Sequence, residues 1–138
     1  IVELMMASHP EFCWVCDRAN VCDLRKLAME VNMTLPRFSI KKRPHPIEDV
    51  SPYIWRDTAK CVLCQRCIKA CAEIKKANVY AMGYRAFDCK VVVDMDEPIN
   101  KEVCRDCGIC IPFCPVAALG KPEERYKPKK MKPTIITG

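Results

Sequence analysis

A chain of 138 residues, half of them hydrophobic but twelve of those cysteine, has material for one or two small modules with thin cores. Its formal net charge of +6 invites a nucleic-acid partner, but that count omits whatever the cysteines hold. No apolar stretch approaches the roughly 20 residues of a membrane-spanning helix, and no secretory signal is read at the given N-terminus.

In chain order, residues 1–8 read as a short apolar helical stub leading into His9. Four candidate ligands follow in the segment HPEFCWVCDRANVC: His9, Cys13, Cys16 and Cys22. Each part alone has a plain reading, since a His beside Pro is commonly a surface turn and spaced cysteines are commonly core residues. Together they fit a metal centre. A neutral imidazole is a good iron ligand and leaves the site one negative charge short of an all-cysteine set, which raises its potential. Asp17 is expected to cap the next helix, in which Val21, Leu24, Leu27, Ala28 and Val31 recur at helical spacing, with Cys22 in its first turns. Residues 34–58 contain Pro36, Pro44, Pro46 and Pro52 with the basic run Lys41, Lys42 and Arg43, and read as an ordered linker with His45 exposed.

Next come two matching cysteine runs, Cys61, Cys64, Cys67 and Cys71, then Cys104, Cys107, Cys110 and Cys114, the second followed by Pro115. Both read CxxCxxCxxxC. Structural zinc wants ligand pairs from separated knuckles, and disulfides need bridging geometry that such crowded cysteines lack. Iron-sulfur clusters are held by cysteine thiolates, and in two-cluster ferredoxins the fourth cysteine of each run ligates the other run's cluster. The spacing therefore assigns one 4Fe-4S cluster to Cys61, Cys64, Cys67 and Cys114, and another to Cys104, Cys107, Cys110 and Cys71.

Helices are expected over Ile68–Lys76 and, opened by Pro115 at a first-turn position, over Pro115–Leu119. Strands are expected over Val79–Gly83 and Val91–Asp94. That pattern suits a ferredoxin-like α+β fold built on a repeated run-and-helix unit. Cys89, the one cysteine left over, reads as a small buried thiol on the second strand, with a ligand shared with another subunit as the sharper alternative. Residues 121–138 alternate Lys and Pro before Ile135 and Ile136, and read either as a disordered tail or as an extended docking arm.

The segment HPEFCWVCDRANVC resembles the histidine-plus-three-cysteine motif of the large iron-sulfur subunit of NADH:quinone oxidoreductase (respiratory complex I), which also occurs in iron-only hydrogenases and NAD-linked formate dehydrogenases. The segments DVSPYIWRDTAKCVLCQRCIKACAEI and CRDCGICIPFCPVAAL resemble the two-cubane ferredoxin domain of the hydrogenase and formate dehydrogenase members. The resemblance covers residues 1–120 or so. It implies four units: a helical His/Cys3 4Fe-4S module over 1–33, the linker over 34–58, a ferredoxin-like two-4Fe-4S domain over 59–120, and the tail over 121–138. It implies three 4Fe-4S clusters passing single electrons between a flavin- or NADH-oxidising or 2Fe-2S partner and a catalytic oxidoreductase subunit, in a cytoplasmic and anaerobic setting. In these relatives a 2Fe-2S domain precedes the His motif and a catalytic domain often follows. With Ile1 in place of Met, the chain is expected to be a subunit or a fragment of one.

Three oxidised clusters held by eleven thiolates contribute about −5, bringing the loaded chain near +1. The nucleic-acid alternative loses its main support by that correction. The basic side chains of Lys60, Arg66, Lys69 and Arg105 lie beside ligands in sequence and are placed to favour reduced clusters, although solvated charge is the plainer reading for each alone. No acid-base pair or nucleophilic triad is read, so the chain is expected to have no catalytic site of its own, unless it is the accessory-cluster portion of a hydrogenase or formate dehydrogenase. Because metal binding supplies folding free energy in such modules, the unloaded chain is expected to be largely disordered.

Overall fold

The computed structural model describes residues 1–10, 13–40, 47–48, 51–93, 95–97, 99 and 101–124. Lys41, Lys42, Arg43, Pro44, His45 and Pro46 of the linker, Asp94 of the second predicted strand, and residues 125–138 of the tail, with Ile135 and Ile136, lie outside the described residues.

Helix α1 covers Val2–Ser8 and stops at His9, whose extended backbone (φ −82°, ψ 146°) turns the chain while its N–H caps the Met5 and Met6 carbonyls. Helix α2 covers Asp23–Glu30. Asp17 does not cap it: residues 19–21 form a separate 3₁₀ turn, and the extended Cys22 occupies the N-cap without a side-chain cap bond. The apolar face is also narrower than its spacing suggests. Leu24 and Ala28 are buried, but Leu27 and Val31 are 44% and 58% exposed, so α2 is gripped along a single stripe.

The cysteine-run module holds two small antiparallel sheets. In one, β2 (Trp55–Asp57) lies between β1 (Ile47–Glu48) and β5 (Leu119–Gly120). Gly120 sits opposite Trp55, and a Cβ there would approach the indole Nε1 to 2.5 Å, so this pairing needs glycine. The other is the hairpin of β3 (Tyr80–Gly83) and β4 (Lys90–Val93), with Tyr80 opposite Val93. Cys89 precedes β4 and is half-buried, not a buried strand residue, because the turn at Ala86–Asp88 ends only there.

Helix α3 (Arg66–Lys69) lies inside the first cysteine run and carries Cys67, then widens into a π-helical turn over Ala70–Ile74 carrying Cys71. Such bulges mark functional positions in helices. The helix expected over Pro115–Leu119 is absent. Helix α4 instead covers Cys110–Phe113, since Pro115 disfavours helical backbone at the preceding residue, and Cys114 is extended (φ −74°, ψ 117°). The residues after Pro115 run on to enter β5. Ile54, Tyr80, Val91, Val93, Ile99, Ile111 and Leu119 form the core together with Cys71, Cys104 and Cys110, so predicted ligands are core residues.

A second core joins α1 and α2 to the segment before β5: Leu24 of α2 packs with Val116 and Ala118, flanked by Val2, Met5 and Met6 of α1. Polar contacts reinforce it. The Asp23 N–H donates to the Pro115 carbonyl at 2.9 Å, and the Arg18 guanidinium to the Ile111 carbonyl at 3.3 Å. Ser51 and the residues from Ile54 to Thr58 are likewise buried, and the Ser51 hydroxyl donates to the Ile99 carbonyl.

Candidate metal centres

Cys61, Cys64, Cys67 and Cys114 line one open cavity of about 480 Å³, together with Val62, Val116, Ala118 and the buried pair Arg56 and Asp57. The first run's loop, Cys114 at the end of the second run and the approach to β5 converge there. The loop Cys61–Cys67 curls because Leu63 and Gln65 take left-handed backbone (φ 57° and 60°), and the Leu63 N–H donates to Cys61 Sγ at 3.4 Å. In the second run Gly108 holds the matching position with φ 60°. The repeat seen in the cysteine spacing is thus a repeat of backbone conformation at Gln65 and Gly108, but not at Leu63, whose counterpart Asp106 is not left-handed.

The remaining four run cysteines gather in a second set. The Cys104 thiol is raised by burial and then by the Cys71 and Cys107 thiolates, and Cys110 is pushed up to about 11 by burial and neighbouring Cys104 and Cys107, against a lowering bond from Tyr80. Cys67 is pushed up to about 12 by burial and then by Cys61, Cys110, Cys114 and Cys64, so the two sets meet at Cys67 and Cys110. Burial also raises Cys114, opposed by backbone bonds to Val116 and Ala118. Crowded thiols that repel one another as thiolates need a cationic core to hold them together. The Val79 N–H donates to Cys71 Sγ at 3.4 Å. The Tyr80 hydroxyl lies 3.3 Å from Cys110 Sγ and is itself held far above its ordinary pKa by burial and by that thiolate.

His9, Cys13, Cys16 and Cys22 line a separate cavity of about 340 Å³ with Ala19, Arg25, Lys60 and Ala117. Burial holds His9 below its ordinary pKa, opposed by backbone bonds to Pro10 and Lys60, so the ring is neutral as a ligand requires. Its Nδ1 lies 3.0 Å from the Pro10 carbonyl oxygen; a proton there leaves the lone pair on Nε2. Lys60 pairs with Asp57 at 3.1 Å and is raised overall, burial being outweighed by Asp57 and by the more distant Cys16 and Asp17.

All twelve cysteines are described and none is in a disulfide. Among the described residues no three His, Cys, Asp or Glu side chains close on a single-ion site; Cys61, Cys64, Cys67 and Cys114 instead line one cavity, and Cys13, Cys16 and Cys22 line another with His9, as donors to a polynuclear core must. A set rich in thiolates with one imidazole is chemically suited to iron-sulfur clusters. Cys89 lines neither cavity. Of the flanking cations, Lys60 alone lines one of the two cavities, whereas Arg66 pairs with Asp23 at 3.8 Å and Arg105 with Glu102 at 3.5 Å and the Tyr53 hydroxyl at 3.2 Å. Sequence reasoning missed Arg56, Asp57, Ala117 and Tyr80. No local pattern shows that the neighbouring Arg56 and Asp57 are buried, and Tyr80 reaches Cys110 only through the hairpin register.

Residues 1–37 match the model of the NADH-ubiquinone oxidoreductase-G iron-sulfur binding region, and residues 58–80 with 101–117 match a 4Fe-4S binding domain. The NADP-reducing hydrogenase subunit HndD of Solidesulfovibrio fructosivorans is 32% identical over 126 residues, 86% of this chain and 20% of that protein. A G-type subunit (G 2) of the NADH-quinone oxidoreductase of Rhizobium meliloti is 30% identical over 92% of this chain and 15% of its own length. A putative formate dehydrogenase of Staphylococcus haemolyticus is 28% identical over 86% of this chain and 12% of its own. The chain thus spans a fifth or less of the curated relatives it matches. In fold it is similar to a chain of the NAD+-reducing [NiFe]-hydrogenase crystallised in the H2-reduced state, with a TM-score of 0.69 and 23% identity over 87% of this chain and 51% of that one. No helix among the described residues is long and apolar enough to cross a membrane. The chain carries the iron-sulfur binding region that the G-type NADH-quinone oxidoreductase proteins, the hydrogenase subunit HndD and formate dehydrogenases have in common.

Proposed function

We propose that this chain relays single electrons through three 4Fe-4S clusters inside a larger oxidoreductase. The ligands would be His9, Cys13, Cys16 and Cys22 for the first; Cys61, Cys64, Cys67 and Cys114 for the second; and Cys104, Cys107, Cys110 and Cys71 for the third. When bound, each cluster takes up and releases one electron without bond rearrangement. The observation that carries the reading is the segment Val116–Ala118: Val116 and Ala118 line the cavity of the first cysteine run, and Ala117 lines that of His9. One thickness of backbone divides the two sites, while α3, which carries Cys67, packs against α4, which carries Cys110.

The chain's own residues then have definite tasks. Burial keeps His9 neutral, Lys60 offsets thiolate charge at Cys16, and the Leu63 and Val79 N–H groups bond to ligand sulfurs. The setting we favour is cytoplasmic and anaerobic, between a flavin- or NADH-oxidising or 2Fe-2S partner and a catalytic subunit. A second reading makes this the accessory-cluster portion of a catalytic hydrogenase or formate dehydrogenase chain. It is favoured by the short share, 20% and 12%, that the chain covers of such relatives. Anaerobic purification with iron and sulfide analysis and EPR of the reduced protein tests the relay. About twelve irons per chain are expected, and about eight would remove the His9 site.

A further inference from the structure

Tyr80 opens β3 in the core, 6% exposed, and its ring is fixed by the hairpin register that sets it opposite Val93. Its hydroxyl lies 3.3 Å from Cys110 Sγ. A thiolate bound to iron carries no proton, so in the loaded chain the phenol is the donor and the sulfur the acceptor. A donor at a ligand sulfur stabilises the additional negative charge of the reduced cluster more than it stabilises the oxidised one.

We propose that Tyr80 is a positioning residue for electron transfer, setting the direction of flow between the two cubanes by raising the reduction potential of the one that Cys110 holds. This rests on the assignment of Cys110 as a ligand of the third cluster. With both clusters bound, one electron would pass from the one held by Cys61, Cys64, Cys67 and Cys114 to the one held by Cys71, Cys104, Cys107 and Cys110, while Tyr80 keeps its phenolic proton on oxygen. Helix α3, which carries Cys67, packs against α4, which carries Cys110, so a bias at Cys110 acts where the two sets meet. The donor belongs to a side chain, and substitution removes it while leaving the backbone bonds of Leu63 and Val79 in place.

The test is an EPR-monitored redox titration of the anaerobically loaded wild-type protein, Tyr80→Phe, and a chain carrying fluorinated tyrosine at position 80, whose hydroxyl is a stronger donor. In Tyr80→Phe the midpoint of one cubane falls while iron content holds, shifting the electron partition between cubanes about tenfold, or about 59 mV for one electron. Fluorinated tyrosine moves the same midpoint upward. Unchanged midpoints in fully loaded variants overturn the proposal. If Tyr80→Phe loses iron, the fluorinated chain decides, and an unmoved midpoint there also overturns it. A wild-type chain lacking the two cubanes of the cysteine runs refutes the cluster assignment instead, and iron analysis of that sample shows this before any variant is compared.

Discussion

Val116 and Ala117 are consecutive, yet Val116 lines the cavity of Cys61, Cys64, Cys67 and Cys114 while Ala117 lines that of His9, Cys13, Cys16 and Cys22. Residues 115–118 bend and turn before β5, and that irregular backbone gives the two neighbours to different cavities. Cys114 supplies a thiol to the first cavity only two residues earlier, and Asp23 anchors the segment through the Pro115 carbonyl. A short stretch of chain is therefore both a wall of two sites and the seam between two modules.

Enlarging Ala117 should damage one site and spare the others. Ala117 is 2% exposed, and a leucine there has no room except in the cavity of His9. Overpacking of this kind costs about 1–3 kcal/mol. Ala117→Leu is expected to lower iron by about four atoms per chain, one cluster's content, with the EPR signals of the other clusters retained. Uniform loss of all signals would show that Ala117 supports the whole fold and not one wall.

The crossing of ligands between runs gives a sharper outcome. Cys114 shares a cavity with Cys61, Cys64 and Cys67, and Cys104 senses Cys71. Cys114→Ser should therefore alter the same EPR signal as Cys64→Ser, and Cys71→Ser the same one as Cys104→Ser. If Cys71→Ser and Cys64→Ser altered a common signal, each run would hold its own cluster.

The doubled spacing behind that proposal is a property of the sequence itself. The hairpin around Gly83 and the helix ending at His9 were legible too, from β-branched runs and apolar periodicity. The end of α4 was not: Pro115 reads as a helix starter by its own φ, but its effect on Cys114 dominates, and the chain leaves the helix before it. The width of α2's apolar face was misjudged because Leu27 and Val31 have the right period yet are left 44% and 58% exposed. The burial of Arg56 and Asp57 depends on β5 pairing with β2, a contact between distant residues that no local pattern encodes.

Acid should release the clusters. Burial and neighbouring thiolates push Cys67 up to about 12, and burial pushes Cys110 up to about 11, both from an ordinary value of 9.0. In the unloaded chain these groups therefore keep their protons through neutral pH, and each must lose one on binding iron. The sign follows: the unloaded form holds more protons, so cluster affinity rises with pH up to about 11–12 and falls on acidification, about tenfold per unit for each thiolate concerned. Bleaching of the cluster absorbance by an iron chelator, followed between about pH 6 and 9, should go further at the acid end. Extents independent of pH, or larger at the alkaline end, would contradict this.

Gln65 and Gly108 occupy equivalent places after the second cysteine of each run, and both have φ 60°. Only the second uses the residue type suited to left-handed backbone, which costs other residues about 1–2 kcal/mol. At Gly108 an added Cβ would meet Lys121 Cε at 3.4 Å and Ile111 Cδ1 at 3.5 Å, ordinary contacts, so the conformation and not crowding selects glycine. Gln65→Gly should then relieve strain and raise the urea midpoint of the loaded protein by about 1 kcal/mol equivalent, while Gly108→Ala lowers it by a similar amount. Equal and small effects at both positions would mean that cluster binding, not backbone preference, dictates the shape of the two loops.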